Sequence, residues 1–188
     1  MAITLDDYIE EITQLAEGKG AMSLRWYRDQ VRAVVPRRLS ESATTSLIRA
    51  GNIQRRPAYG VLNLYGYNPK HEQILEYYDV FPLTIPIEKL KNGFVGINLH
   101  YLSVPMRYKL LQKLMPLTAE NRIIGWRRVS RFREIKPCVK RYLGQYVKTA
   151  FLPIVEHDQM ELASLMPIQR FMKANETKVW ADSRRMVI

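Results

Sequence analysis

Few residues in this 188-residue chain have the type and spacing that catalysis requires. Glu134-Ile135-Lys136 matches the E-x-K half of a metal-dependent nuclease, in which carboxylates hold Mg²⁺ and the lysine assists the attacking water. That chemistry also needs an aspartate a short strand earlier, and residues 121–133 contain no carboxylate. Glu134 therefore reads better as an intrahelical partner for the surrounding arginines. Asp79, Asn98 and His100 could converge with a serine, but no serine or cysteine stands in a nucleophile-elbow context. The plainer reading makes His100 a hydrogen-bonded structural histidine on a strand, and Asp79 a turn cap or an arginine partner. His71, His100 and His157 are isolated and share no ligand spacing with Cys138, so no metal site is expected. Gly93-x-x-Gly96 lacks the Lys-Ser/Thr that completes a phosphate loop. The sequence thus predicts no cofactor and no enzyme.

Charge carries the stronger signal. Lys and Arg number 29 against 18 Asp and Glu, a net charge of +11. Residues 21–60 hold eight arginines against Asp29 and Glu41, for +6. Residues 121–150 hold six arginines and three lysines against Glu134 alone, for +8. Residues 1–20 are acidic at −4, and the remainder is nearly neutral. Arginine dominates both basic blocks, and its planar fork suits phosphate or carboxylate. Clustered cations gain affinity for nucleic acid by releasing counterions from phosphates. A solvated basic face, or one docked on an acidic protein, has the same composition. Trp126, Phe132 and Tyr142 lie among the arginines; such rings stack on bases, although most of the three are expected to face inward. The candidate nucleic-acid contacts are Arg122, Arg127, Arg128, Arg131, Arg133, Lys136, Lys140 and Arg141, with Arg55 and Arg56 from the first block.

The elements that would position these cations follow from periodicity. Thr4 with Asp7 resembles a capping box opening a helix on Leu5, Tyr8, Ile9, Ile12 and Leu15, and Gly18 and Gly20 end it. A second helix runs from Ser23 to Pro36 with Arg25, Arg28 and Arg32 on its polar face. Val61 to Tyr67 is β-rich, as is Tyr77 to Ile87, where Pro82 and Pro86 predict an edge or a bend. Asn92-Gly93 predicts a hairpin turn built on positive φ, with Phe94 to Leu102 as the return strand. Helices are expected after Pro105, over Ile123–Phe132 and again from Pro137. Tyr146 to Ile154 reads as a strand, Met160 to Met166 as a short helix, and Thr177 to Ile188 as a surface helix or arm. No stretch approaches the roughly 20 apolar residues of a membrane span, and the N-terminus lacks a secretory pattern.

The central block resembles a family. Leu62-x-x-Tyr65-x-Tyr67-Asn68-Pro69-Lys70, Tyr77-Tyr78-Asp79-x-Phe81-Pro82-Leu83 and Gly93-Phe94-x-Gly96-Ile97-Asn98-Leu99-His100-Tyr101-Leu102-x-x-Pro105-x-Arg107 resemble virion proteins of large contractile-tailed, T-even-like bacteriophages. Lys136-Pro137-Cys138-Val139-Lys140-Arg141-Tyr142-Leu143 and Val179-Trp180 extend the likeness, which spans about residues 59–185 and leaves the arm 1–45 outside. The family is the DNA end protectors, which sit in the neck on the terminus of the packaged genome. The resemblance implies no catalytic residues.

The expected fold is α+β: a small antiparallel sheet or SH3-like half-barrel over about 59–102, surrounded by helices. A helical arm (1–45) precedes a body (46–188) that contains the basic helical segment 121–150 and a C-terminal arm. The expected function is non-enzymatic binding of the end of packaged double-stranded DNA in the virion neck, in contact with other virion proteins. The chain would belong to a multi-subunit assembly put together in the host cytoplasm, with no membrane partner. One alternative is a tail or baseplate component whose basic faces meet acidic protein neighbours. A second is a Mg²⁺-dependent nuclease acting through Glu134 and Lys136.

Overall fold

A computed structural model describes residues 53–155 and 170–186. Seven strands are ordered β1 (Leu62–Leu64), β2 (Tyr78–Asp79), β3 (Leu83–Leu90), β4 (Gly93–Asn98), β5 (Val139–Leu143), β6 (Leu152–Ile154) and β7 (Phe171–Met172). The α-helices among the described residues are α1 (Val104–Leu114), α2 (Ala119–Val129) and α3 (Glu176–Arg185). Five strands form one antiparallel sheet in the order β5-β4-β3-β1-β6, and β2 pairs with β7 separately. The architecture is α+β, as the sequence predicted. The sheet is not confined to residues 59–102, because β5 and β6 arrive from beyond the helices to complete it.

One face of the sheet is aliphatic. Leu62, Leu64, Leu83, Ile85 and Ile97 alternate onto it and pack with Leu110 and Leu114 of α1 and with Trp126 and Val129 of α2. All nine are at most 1% exposed, so this is the main core. The opposite face carries an aromatic cluster of Tyr65, Tyr67, Phe94, Tyr142 and Phe151. Phe94 stacks on Tyr142 with ring centres 5.2 Å apart, and Tyr65 lies 4.7 Å from Phe151. Offset and edge-on rings of this kind contribute roughly 0.5–1.5 kcal/mol per pair beyond burial.

Several expected boundaries move. The β-rich segment 77–87 is two strands, split where the Asp79 carboxylate accepts the Phe81 N–H. Far from being an edge, β3 is the middle strand, and it absorbs Pro86 through a register shift between Pro86 and Glu88. The return strand stops at Asn98, whose side chain accepts the His100 N–H and starts a 3-10 turn over Leu99–Tyr101. The helix predicted over Ile123–Phe132 ends at Val129. The helix predicted from Pro137 is a single 3-10 turn, Lys136–Cys138, that leads into β5, so the segment 121–150 is not helical throughout. The C-terminal segment is α3, opened by Asn175 accepting the Lys178 N–H. The helices expected within residues 1–45 and at Met160–Met166 lie outside the described residues.

The Lys91-Asn92 turn joins β3 to β4, with Leu90 opposite Gly93. Gly93 is not a positive-φ residue; Gly60, at +74°, is the positive-φ glycine among the described residues. Close approach is what Gly93 provides. A Cβ there would sit 1.9 Å from the Tyr142 carbonyl oxygen on β5.

Candidate nucleic-acid interface

The segment that carries Arg55 and Arg56 is pinned on both sides. Gln54 exchanges two 2.8 Å backbone hydrogen bonds with Phe151. Beyond the arginines, the fully buried Asn63 side chain accepts the Ala58 N–H at 2.9 Å and donates to the Ala58 and Val61 carbonyls. The two arginines thus lie on a short fixed span, and both are exposed. They border a groove of about 570 Å³ with Lys89 of β3, whose walls include Tyr59, Phe94 and Phe151. Lys89 faces this side because it pairs with Phe94, which in turn pairs with Tyr142. Among the described residues, no carboxylate lines the groove.

The other candidate cations divide between internal and external roles. Arg122 donates to the Leu117 carbonyl, and burial lowers its pKa from the usual arginine value. Arg127 donates through Nε to the Ile87 carbonyl at 2.8 Å, tying α2 to β3. Arg128 is half-buried. Lys140 holds its ammonium 4.3 Å from the centre of the Tyr101 ring, and burial lowers its pKa. Arg131, Arg133, Lys136 and Arg141 are exposed. Arg141 leaves β5 beside Val95, on the sheet face opposite Tyr142, and so does not share the groove with Arg55 and Arg56. Trp126 and Tyr142 are buried and Phe132 is half-buried, so these rings serve the cores. The other six arginines of the first basic block, Arg25, Arg28, Arg32, Arg37, Arg38 and Arg49, lie outside the described residues.

Glu134 falls on a turn after α2 and Lys136 opens the 3-10 turn Lys136–Cys138, so neither lies on a strand and Glu134 is not within a helix. Glu134 is therefore not the intrahelical partner that the sequence suggested. Among the described residues, no group of three or more His, Cys, Asp or Glu side chains could hold a metal ion. Cys138 is buried, with its thiol pKa pushed up to about 12, and is unsuited to nucleophilic chemistry.

Asp79 and His100 meet in the interior. His100 Nδ1 lies 2.7 Å from Asp79 Oδ2, which also accepts from Asn98 Nδ2 at 3.1 Å. Burial pushes the Asp79 pKa up. The facing imidazole and the donors from His100, Asn98 and the Phe81 N–H outweigh it and hold the carboxylate below its usual range. Burial lowers the His100 pKa, against the attraction of Asp79 and with the help of Arg107. His100 is thus the hydrogen-bonded structural histidine the sequence predicted. Asp79 caps a turn, as expected, and its side-chain partner is a histidine instead of an arginine.

Two residues escaped the sequence reading. Lys89 has no periodicity signal, and its place at the groove follows from the β3–β4 register. Arg107 is fully buried in α1, donating to the carbonyls of Leu102 at 2.8 Å and His100 at 3.2 Å, with Trp180 of α3 stacked at 5.6 Å. No local pattern distinguishes such an arginine from a solvated one.

No described helix is long and apolar enough to cross a membrane. Comparison with curated proteins and with solved structures gives no match. A family model described as "Phage T4 terminal DNA protecting protein" matches residues 9–183. The match starts within the N-terminal arm, which the resemblance read from the central block had left outside. Covering nearly the whole chain, it gives the two cation-bearing faces their context: the protein belongs to the phage T4 terminal DNA protecting protein family.

Proposed function

We propose that this protein is a non-enzymatic virion component that binds the end of packaged double-stranded DNA at the head–tail neck. Membership in a family of terminal DNA protecting proteins carries the reading. The exposed cations Arg55, Arg56, Arg131, Arg133, Lys136 and Arg141 are the principal phosphate contacts, distributed over both faces of the sheet. Arg122, Arg127 and Lys140 brace the fold, and with the half-buried Arg128 they add to the positive field. Contacts of this type neutralise the backbone and do not read sequence. Filter binding to linear duplex at rising salt tests the reading. Six phosphate contacts predict a log–log slope of about −5. An affinity that barely changes with salt would reject them.

A second reading, assembly in the tail or baseplate against other virion proteins, draws support from Ile74, 82% exposed, next to the exposed Leu75. Exposed apolar side chains at one site suit a protein neighbour better than DNA. Antibody labelling of intact particles separates the two, since the first reading requires label at the head–tail junction.

A further inference from the structure

The groove bordered by Arg55, Arg56 and Lys89 has features that phosphate neutralisation alone does not require. Its volume of about 570 Å³ falls within the size of sites that enclose small ligands, and it is far too small for a duplex. Its rim is cationic on two sides: the arginines on the pinned span, and Lys89 on the sheet. The half-buried Tyr59 lines the same groove and packs against the aromatic core to which the buried Phe94 and Phe151 belong. Basic rims around aromatic surface are how single-stranded nucleic acid is held, with phosphate on the cations and base against the ring. Anchoring of Gln54 to Phe151, and of Ala58 to Asn63, fixes the backbone that carries the arginines before any ligand arrives. Pre-ordering of this kind lowers the entropic cost of binding.

We infer that this groove seats an unpaired nucleotide from the terminus of a DNA strand, its phosphate between Arg55, Arg56 and Lys89 and its base against Tyr59. The inference rests on the end-binding reading and supplies what that reading lacks, a physical reason to prefer an end. Phosphates are alike along a duplex, but a nucleotide leaves the stack most easily at a terminus. A blunt end must fray first, at a cost of a few kcal/mol, whereas an overhang is already unpaired.

Fluorescence anisotropy of the full chain tests this with four DNAs of the same duplex sequence: blunt, with a short 5′ overhang, with a short 3′ overhang, and covalently closed. Overhang duplex should bind about tenfold or more tightly than blunt, a difference of about 1.4 kcal/mol per factor of ten. R55Q/R56Q and Tyr59→Ala should each erase that preference; R55Q/R56Q should also weaken binding to blunt duplex and flatten its salt slope by about 2, because both arginines are among its phosphate contacts. Equal affinity of the wild type for overhang and blunt DNA, or a preference that survives in R55Q/R56Q, overturns the groove and leaves end binding standing. Equal affinity for closed and linear DNA overturns the end-binding reading itself. A terminal 5-iodouracil gives a readout independent of mutant folding. Its photo-crosslink should map to the peptide containing Tyr59 or Lys89, and a crosslink mapping elsewhere overturns the assignment.

Discussion

The imidazole of His100 and the carboxylate of Asp79 are 2.7 Å apart in the protein interior, at 0% and 2% side-chain exposure. Their pairing joins the turn before β3 to the turn after β4, 21 residues on. The His100 carbonyl then accepts Trp180 Nε1 at 2.9 Å and Arg107 Nη2, so the same turn receives α3 and the buried arginine. Burial lowers the His100 pKa, and Asp79 remains ionised, so the native pair is a neutral imidazole donating to a carboxylate.

Acid should therefore destabilise the fold in two stages. An unfolded histidine takes a proton near pH 6.5, whereas His100 in the native state resists it. Its stabilising contribution is complete above that value and declines as the pH falls toward the lowered native pKa. Asp79 adds a second decline below about pH 4, where the unfolded carboxyl protonates first. Urea unfolding midpoints measured from pH 7.5 to 5 should fall in the wild type and fall less in His100→Gln. Parallel curves would assign the acid sensitivity to other groups.

Gly93→Ala should destabilise the protein by about 3 kcal/mol, the upper range for overpacking, because backbone cannot yield as a flexible side chain does. The new methyl would meet the Tyr142 carbonyl oxygen, where β4 and β5 come together. Gly144→Ala is the control, since its nearest contact is an ordinary 3.6 Å from the Asn92 oxygen. Equal melting temperatures for the two variants would contradict this geometry.

Lys173 sits at φ 69° and donates its ammonium to three backbone carbonyls, those of Glu72, Gln73 and Leu75, at 2.6–3.0 Å. This one side chain ties the segment around β7 to the loop at 71–75. Lys173→Met keeps the length and removes the donors, so limited proteolysis should cut the 71–76 loop several-fold faster than in the wild type. Unchanged cleavage would show that Lys178 and Glu76, paired nearby, hold the loop alone.

Local signals in the sequence located α1, α2, the β3–β4 hairpin and the fixed turns, because each depends on residues close in the chain. The Asn-Gly dipeptide points to the β3–β4 turn, but the turn residues are Lys91 and Asn92, no positive φ is used, and Gly93 serves a neighbouring strand about 50 residues downstream, which no dipeptide rule conveys. β5 was read as helix because Pro137 suits a first helical turn; pairing with β4 overrode that preference. The same dependence on register hid Lys89 from the groove and Arg107 from the His100 turn. The sequence named Arg55 and Arg56 by charge, but only the Gln54–Phe151 bridge brings them to the aromatic face.

Recognition of a DNA end can be separated from general phosphate binding by competition between linear and covalently closed DNA of identical sequence. A labelled linear duplex bound to the protein should be displaced by unlabelled linear DNA at concentrations where the closed circle has little effect. Cutting that circle once should turn it into an effective competitor. Equal displacement by the intact circle, base pair for base pair, would contradict end recognition and reduce the protein to a general phosphate binder.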